Sequence, residues 1–197
     1  MKEVIVLLSG GIDSTVLLAE LLRERIGCKC LFVDYGQRAG AEEYAASKRI
    51  SHSMNVELIR VVLGSFSGRF RNILTQDNPS LSSVFPARNM LLLTLAAQIG
   101  FEEHARAVAI GVIMTTKYPD CTKEFLESAE RSITLALGEK MAVLSPFSQL
   151  TKGQVVEIGR TLDVPFELTY SCFRGGRKHC GKCEACKERR EALEAAQ

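Results

Sequence analysis

Two groups of residues in this chain have the types and spacing to do chemistry. The first is Ser9-Gly-Gly-Ile-Asp-Ser14 with Thr15, set directly after the apolar run Val4-Ile-Val-Leu-Leu8. Paired glycines let a backbone approach an anion without Cβ interference. The hydroxyls of Ser9, Ser14 and Thr15 add donors, and a helix starting there offers unpaired N–H groups at the positive end of its dipole. Leu8, Ser9, Gly10, Gly11, Ile12, Asp13, Ser14 and Thr15 therefore form a candidate site for pyrophosphate or triphosphate oxygens. The run has neither the lysine of a Walker loop nor a dinucleotide fingerprint. The plainer alternative is a strand-to-helix turn with Ser14 as N-cap.

The second group is Cys172, Cys180, Cys183 and Cys186, at spacing C-x7-C-x2-C-x2-C. Four thiolates at this spacing read as a closed tetrahedral Zn²⁺ site, with Gly181 permitting the tight turn and Arg174, Arg177, Lys178, Lys182 and Lys187 offsetting the excess negative charge. Full thiolate ligation leaves no open position for water, so the metal is structural, worth on the order of 10 kcal/mol to folding of the segment. An iron–sulfur cluster is the rival, because C-x2-C-x2-C also opens a ferredoxin run, but the downstream Cys-Pro is missing. His179, beside Cys180, could substitute as a ligand, but reads as solvent-facing. The basic residues alone would fit nucleic acid, yet Glu184, Glu188, Glu191 and Glu194 share the terminal helix and stacking aromatics are sparse there, so nucleic acid is an unlikely partner.

These groups need a scaffold, and the chain reads as alternating short apolar runs and helix-period segments, the pattern of a parallel sheet covered by helices on both faces. Strands are expected near 3–8, 29–34, 56–62, 106–112 and 142–146, and helices near 14–26, 41–54, 87–100, 122–137 and 151–162. In the first helix Val16, Leu17, Leu21 and Ile26 form the buried stripe, Glu20, Arg23, Glu24 and Arg25 the wet side, and Gly27 the stop. Ligands of such sheets sit beyond the carboxyl ends of the strands. Asp34 to Arg38, Gly111 to Asp120 and Pro146 to Lys152 should all face the first loop. Residues 64–86 break the alternation and are expected to form a mobile lid or substrate loop.

With 46% hydrophobic and 24% charged residues among 197, the chain suits one globular fold with a small appendage, divided as 1–169 and 170–197. Its formal net charge of +2 makes no bulk electrostatic demand for nucleic acid. The longest apolar runs fall short of a membrane span and no secretory h-region opens the chain, so a cytoplasmic enzyme is expected.

Taken together these motifs resemble the 7-cyano-7-deazaguanine synthase (QueC) family, within the PP-loop ATP pyrophosphatases of adenine-nucleotide α-hydrolase-like α/β fold. Ser9 to Ser14 is similar to the family's pyrophosphate loop, Asp34-Tyr-Gly-Gln-Arg38 to its second-strand motif, and Pro86-Ala-Arg-Asn89 to its central helix start. Tyr118-Pro-Asp-Cys121 resembles its substrate signature, and Tyr170-Ser-Cys172 with Cys180-Gly-Lys-Cys-Glu-Ala-Cys186 its zinc segment. The pattern departs at Ala39, where a His is typical, and in the short stretch from Ile113 to Lys117.

The resemblance implies ATP-driven conversion of 7-carboxy-7-deazaguanine and ammonia, through adenylated intermediates, to the nitrile used for queuosine-type bases, by a homodimer. Asp13 is then the candidate to orient Mg²⁺, and Arg38, Arg88 and Lys117 are the cations to place against phosphate or carboxylate charge. A cation at a helix N-terminus, as at Arg88, is locally unfavourable, which points to a ligand or partner. Tyr118, Pro119, Asp120 and Cys121 are the substrate residues, with Asp120 suited to the guanine-like edge and Cys121 to packing or substrate contact. Three other readings stay open: a paralogue passing the acyl group to another amine, a PP-loop tRNA thiolase, and a zinc-stapled nucleotide-binding module without catalysis.

Overall fold

The computed structural model describes residues 3–78, 80–114 and 118–195. Five parallel strands, β1 (Glu3–Leu7), β2 (Gly27–Asp34), β3 (Leu58–Val62), β4 (Ala107–Ala109) and β5 (Ala142–Leu144), form one sheet in the order β3-β2-β1-β4-β5. Alternation along β1 explains the layering. Val4 and Val6 enter one core with residues of helices α1 (Ile12–Arg23), α2 (Gly40–Ser53), α5 (Lys152–Thr161) and α6 (Glu184–Ala195), while Ile5 and Leu7 enter the other with α3 (Arg88–Glu102) and α4 (Lys123–Leu137). Both faces of the sheet are covered, as the sequence pattern predicts. The order changes direction at β1, so the loop leaving β1 opens into the crevice beside β4.

Cys172, Cys183, Cys186 and Ala192 share the core of β1 and α1. The four-cysteine tail therefore packs onto the same face as α1 and α5. Arg189 fastens it by donating to Thr169 Oγ1 at 2.5 Å and to the Phe166 carbonyl at 2.7 Å.

Three local expectations are corrected. The first helix ends at Arg23, not 26, because Arg25 turns left-handed (φ 58°) and the Ile26 N–H reaches back to the Leu21 carbonyl at 3.0 Å. Gly27 is the first residue of β2 and not the helix stop. In the described part of 64–86, Phe66, Phe70, Ile73, Leu74 and Phe85 pack with Tyr35 and Leu92 into a small third core, with the Phe70 and Phe85 rings 4.5 Å apart. The segment is a packed wall over the sheet edge, where the absence of helical or strand period suggested a mobile lid. Among the described residues no helix is long and apolar enough to cross a membrane.

Candidate active site and metal centre

The loop after β1 is held from three sides. Gly10 sits at φ 78°, where a Cβ would stand 2.6 Å from the Glu43 carbonyl oxygen and 2.9 Å from the Ala46 Cβ, so only glycine fits. Its own carbonyl accepts the Tyr170 N–H at 2.8 Å. Gly11 is the N-cap of α1, the position the simpler sequence reading assigned to Ser14. The hydroxyls of Ser14 (3.2 Å) and Thr15 (2.6 Å) both turn back to the Gly11 carbonyl, and Ser9 Oγ lies 3.2 Å from Ser14 Oγ. Thr15 is fully buried and shapes the loop from beneath. Across the crevice, a Cβ on Gly111 would lie 2.8 Å from the Ser14 nitrogen. Glycine there leaves the first turn of α1 open, a cradle suited to phosphate oxygens.

A cavity of about 540 Å³ lies over this loop. Leu8, Ser9, Gly11, Ile12, Asp13 and Ser14 line one part of it, and Arg88, Tyr118 and Cys121 also line it. Asp13 accepts a hydrogen bond from Lys152 Nζ at 2.7 Å, whereas its other oxygen, Oδ1, is buried without a hydrogen-bond partner. An orphaned carboxylate oxygen beside a phosphate cradle fits a Mg²⁺ ligand. Sequence reasoning placed Lys152 only within a stretch facing the loop. Its signal was present: Thr151 and Gln154 form a capping box, which puts Lys152 at the first position of α5, against the helix dipole, as Arg88 is in α3.

Arg88 bonds to Tyr35; burial works against its charge, but Tyr35, Asp120 and Glu43 outweigh it. Glu43, which sequence reasoning did not single out, lines the same cavity and accepts from Gln37 Nε2 at 2.9 Å. Gln37 is itself fixed by the Tyr35 N–H and the Val33 carbonyl. Asp120 turns one oxygen to the Asn89 N–H at 2.9 Å, capping α3, while its carbonyl accepts from Asn89 Nδ2. Cys121 receives Asn89 Nδ2 at 3.3 Å, and burial pushes its thiol up, which suits packing more than nucleophilic attack. Tyr118 Oη lies 3.0 Å from Ser83 Oγ, tying the Tyr-Pro-Asp-Cys stretch to the 64–86 wall.

Not every candidate cation joins the cavity. Arg38 is paired with Asp77 at 2.7 Å and donates to the Gln76 carbonyl, so its guanidinium ties down the 64–86 segment outside the cavity lining. Pro119 and Asp120 are likewise outside the lining, the latter expected at the substrate's guanine-like edge but turned to Asn89, and Lys117 lies outside the described residues.

In the tail, one sulfur from each of Cys172, Cys180, Cys183 and Cys186 lies within 4.8 Å of the other three, with Cys180 and Cys186 3.9 Å apart. Tetrahedral ligation at zinc–sulfur distances implies about 3.8 Å between sulfurs, so the four fit a single ion; a four-iron cluster holds its thiolates farther apart. Burial opposes ionisation of Cys180, yet the N–H groups of Lys182 and Cys183 lower its pKa, while burial pushes the thiols of Cys183 and Cys186 up. His179 lies over the Tyr170 ring, centroids 4.9 Å apart, and accepts the Ser171 N–H at 3.1 Å. It braces the cluster from outside.

With a phosphate cradle and a four-cysteine centre on one α/β sheet, the family described as "Queuosine biosynthesis protein QueC" matches residues 3–197. The chain belongs to the QueC family. A 7-cyano-7-deazaguanine synthase of Pseudomonas fluorescens (strain SBW25) is 37% identical over 99% of this chain and 95% of its own length. One of Methanothermobacter thermautotrophicus is 32% identical over 96% of this chain and 93% of its own. Among solved structures, a 4-thiouridine synthetase–RNA complex with bound ATP superposes on 99% of this chain and 50% of its own (TM-score 0.61, 17% identity). NMN synthetase from Francisella tularensis superposes on the whole chain and 78% of its own (TM-score 0.57, 17% identity). At that identity the likeness is one of fold: a parallel α/β sheet with helices on both faces.

Proposed function

We propose that the chain converts 7-carboxy-7-deazaguanine and ammonia to 7-cyano-7-deazaguanine at the expense of ATP; the relatives' name, 7-cyano-7-deazaguanine synthase, supports the product. The supporting observation is that a single cavity is lined both by the pyrophosphate loop and by Arg88, Tyr118 and Cys121. A carboxylate is a poor electrophile. One of its oxygens attacks the α-phosphorus of ATP, pyrophosphate leaves, and ammonia then displaces AMP from the acyl adenylate to give the amide and a proton. Repeating the activation on the amide oxygen, with a second ATP losing pyrophosphate, lets AMP depart with that oxygen while the nitrogen gives up its two protons, which leaves the nitrile.

In this reading the N–H groups of the first turn of α1 and the Ser9 hydroxyl receive the departing pyrophosphate, with Lys152 supplying positive charge beside them. Asp13 Oδ1 would hold Mg²⁺, which when bound neutralises developing phosphate charge. Arg88 orients the substrate carboxylate against the α-phosphate, and Lys117, next to Tyr118 in sequence, is a further cation of the site. Asp120 acts through Asn89 to set the start of α3, and Tyr118 and Cys121 contact the substrate. Zinc is the proposed metal of the four cysteines, supported by the spacing of their sulfurs. A cytoplasmic homodimer completes the proposal.

Incubation with ATP, Mg²⁺ and 7-carboxy-7-deazaguanine, with and without ammonia, tests it. AMP, pyrophosphate and nitrile are expected only with all components. Adenylate without nitrile would point to a different acceptor amine, and no AMP at all would overturn the reading. Asp13→Asn is expected to lower kcat on the order of 100-fold with bound zinc unchanged.

A further inference from the structure

We propose that the four-cysteine segment positions the pyrophosphate loop, so that metal occupancy and ATP binding are thermodynamically coupled through the backbone bond from Tyr170 to Gly10. The inference rests on the ATP reading of the site.

The path is short and continuous. Gly10 is wedged by α2 on one side, and its carbonyl is held by the Tyr170 N–H at 2.8 Å on the other. Because a trans peptide points its C=O and N–H in opposite directions, turning the Gly10 carbonyl towards Tyr170 aims the Gly11 N–H the other way. That N–H meets Ser9 Oγ at a long 3.4 Å, and Ser9 and Gly11 both line the cavity. Tyr170 therefore sets the direction of a donor in the phosphate cradle.

Tyr170 is in turn anchored from within the metal loop. Its hydroxyl donates to the Gly176 carbonyl at 3.0 Å and its ring lies against His179, both between Cys172 and Cys180. Gly175, in the same span, is left-handed at φ 71° and packs so closely on the Arg38 carbonyl that a Cβ would come within 2.6 Å. A metal joining Cys172 to Cys180 closes this span and removes the chain entropy that would otherwise loosen both anchors. The same segment supplies Tyr170, Ser171, Phe173, Ala185 and Glu188 to the cavity wall. Coupling of this kind is reciprocal: whatever factor the metal adds to ATP affinity, ATP adds to metal affinity.

The test uses the full-length, zinc-loaded protein. Zinc transfer to a chelating dye is followed without nucleotide, with saturating ATP, and with adenosine, which carries no phosphate. ATP is expected to strengthen zinc retention on the order of tenfold, adenosine to leave it unchanged, and cobalt-substituted protein to show a shift in its d–d bands on ATP addition. In Tyr170→Phe, which deletes the bond to Gly176, zinc stoichiometry and far-UV circular dichroism should hold while the ATP effect shrinks. A protein that binds ATP but holds zinc with unchanged affinity, or one strengthened equally by adenosine, overturns the coupling alone. A protein that binds no ATP overturns the reading of the site and the coupling with it.

Discussion

Glu43 places a carboxyl on the cavity wall, and burial raises its pKa, with the Gln37 hydrogen bond and the Arg88 charge pulling the other way and Asp34 adding repulsion. A raised pKa means the folded state holds the proton more tightly than the unfolded chain. The resulting stabilisation is complete below the ordinary glutamate value of about 4.3 and is lost as pH climbs through the folded value. Glu43→Gln should therefore match the parent in Tm at about pH 4 and exceed it at about pH 8, by roughly 2–4 °C if the cost is about 1 kcal/mol. A parent protein that melts higher at the alkaline pH would refute the assignment. The residue was not legible beforehand because an acidic side chain early in a helix is the commonest of surface features. Its setting depends on Gln37, in the loop before α2, and on Arg88, at the start of α3.

At the scale of elements, the tail shows what spacing alone can specify. Two Cys-x2-Cys steps place three sulfurs together locally, but Cys172 reaches them only because Tyr170 and Arg189 fix the chain on either side. Cys183→Ser is expected to abolish stoichiometric zinc binding, measured by metal analysis, and to lower Tm on the order of 10 °C. Full zinc retention would remove Cys183 from the ligand set. The 64–86 segment shows the opposite case. Its glycines and serines carry no period, and its fold comes from aromatic packing on Tyr35 and Leu92, partners distant in sequence. Arg38 belongs to the same lesson: following the second-strand motif it looked like a cavity cation, and Asp77, far along the chain, holds it elsewhere.

For the molecule as a whole, the tail and the β1–α1 unit share one core, with Cys172, Cys183 and Ala192 beside Val4, Val6 and Leu17. We therefore predict that residues 170–197 do not melt apart from 1–169: zinc-loaded protein should show one unfolding transition, coincident by near- and far-UV circular dichroism. An earlier, separate transition of the tail would show an independent unit instead. The strand–helix alternation, the phosphate loop and the cysteine set were legible in the sequence because each depends on neighbours a few residues apart, where period, glycine placement and ligand spacing act directly. Tertiary structure alone decided that Lys152 meets Asp13, that Glu43 lines the cavity, that Asp120 caps α3, and that Tyr170 grips Gly10. Each of those pairings joins residues separated by dozens of positions or set on different elements, and only sheet order and helix packing bring such groups within hydrogen-bonding reach.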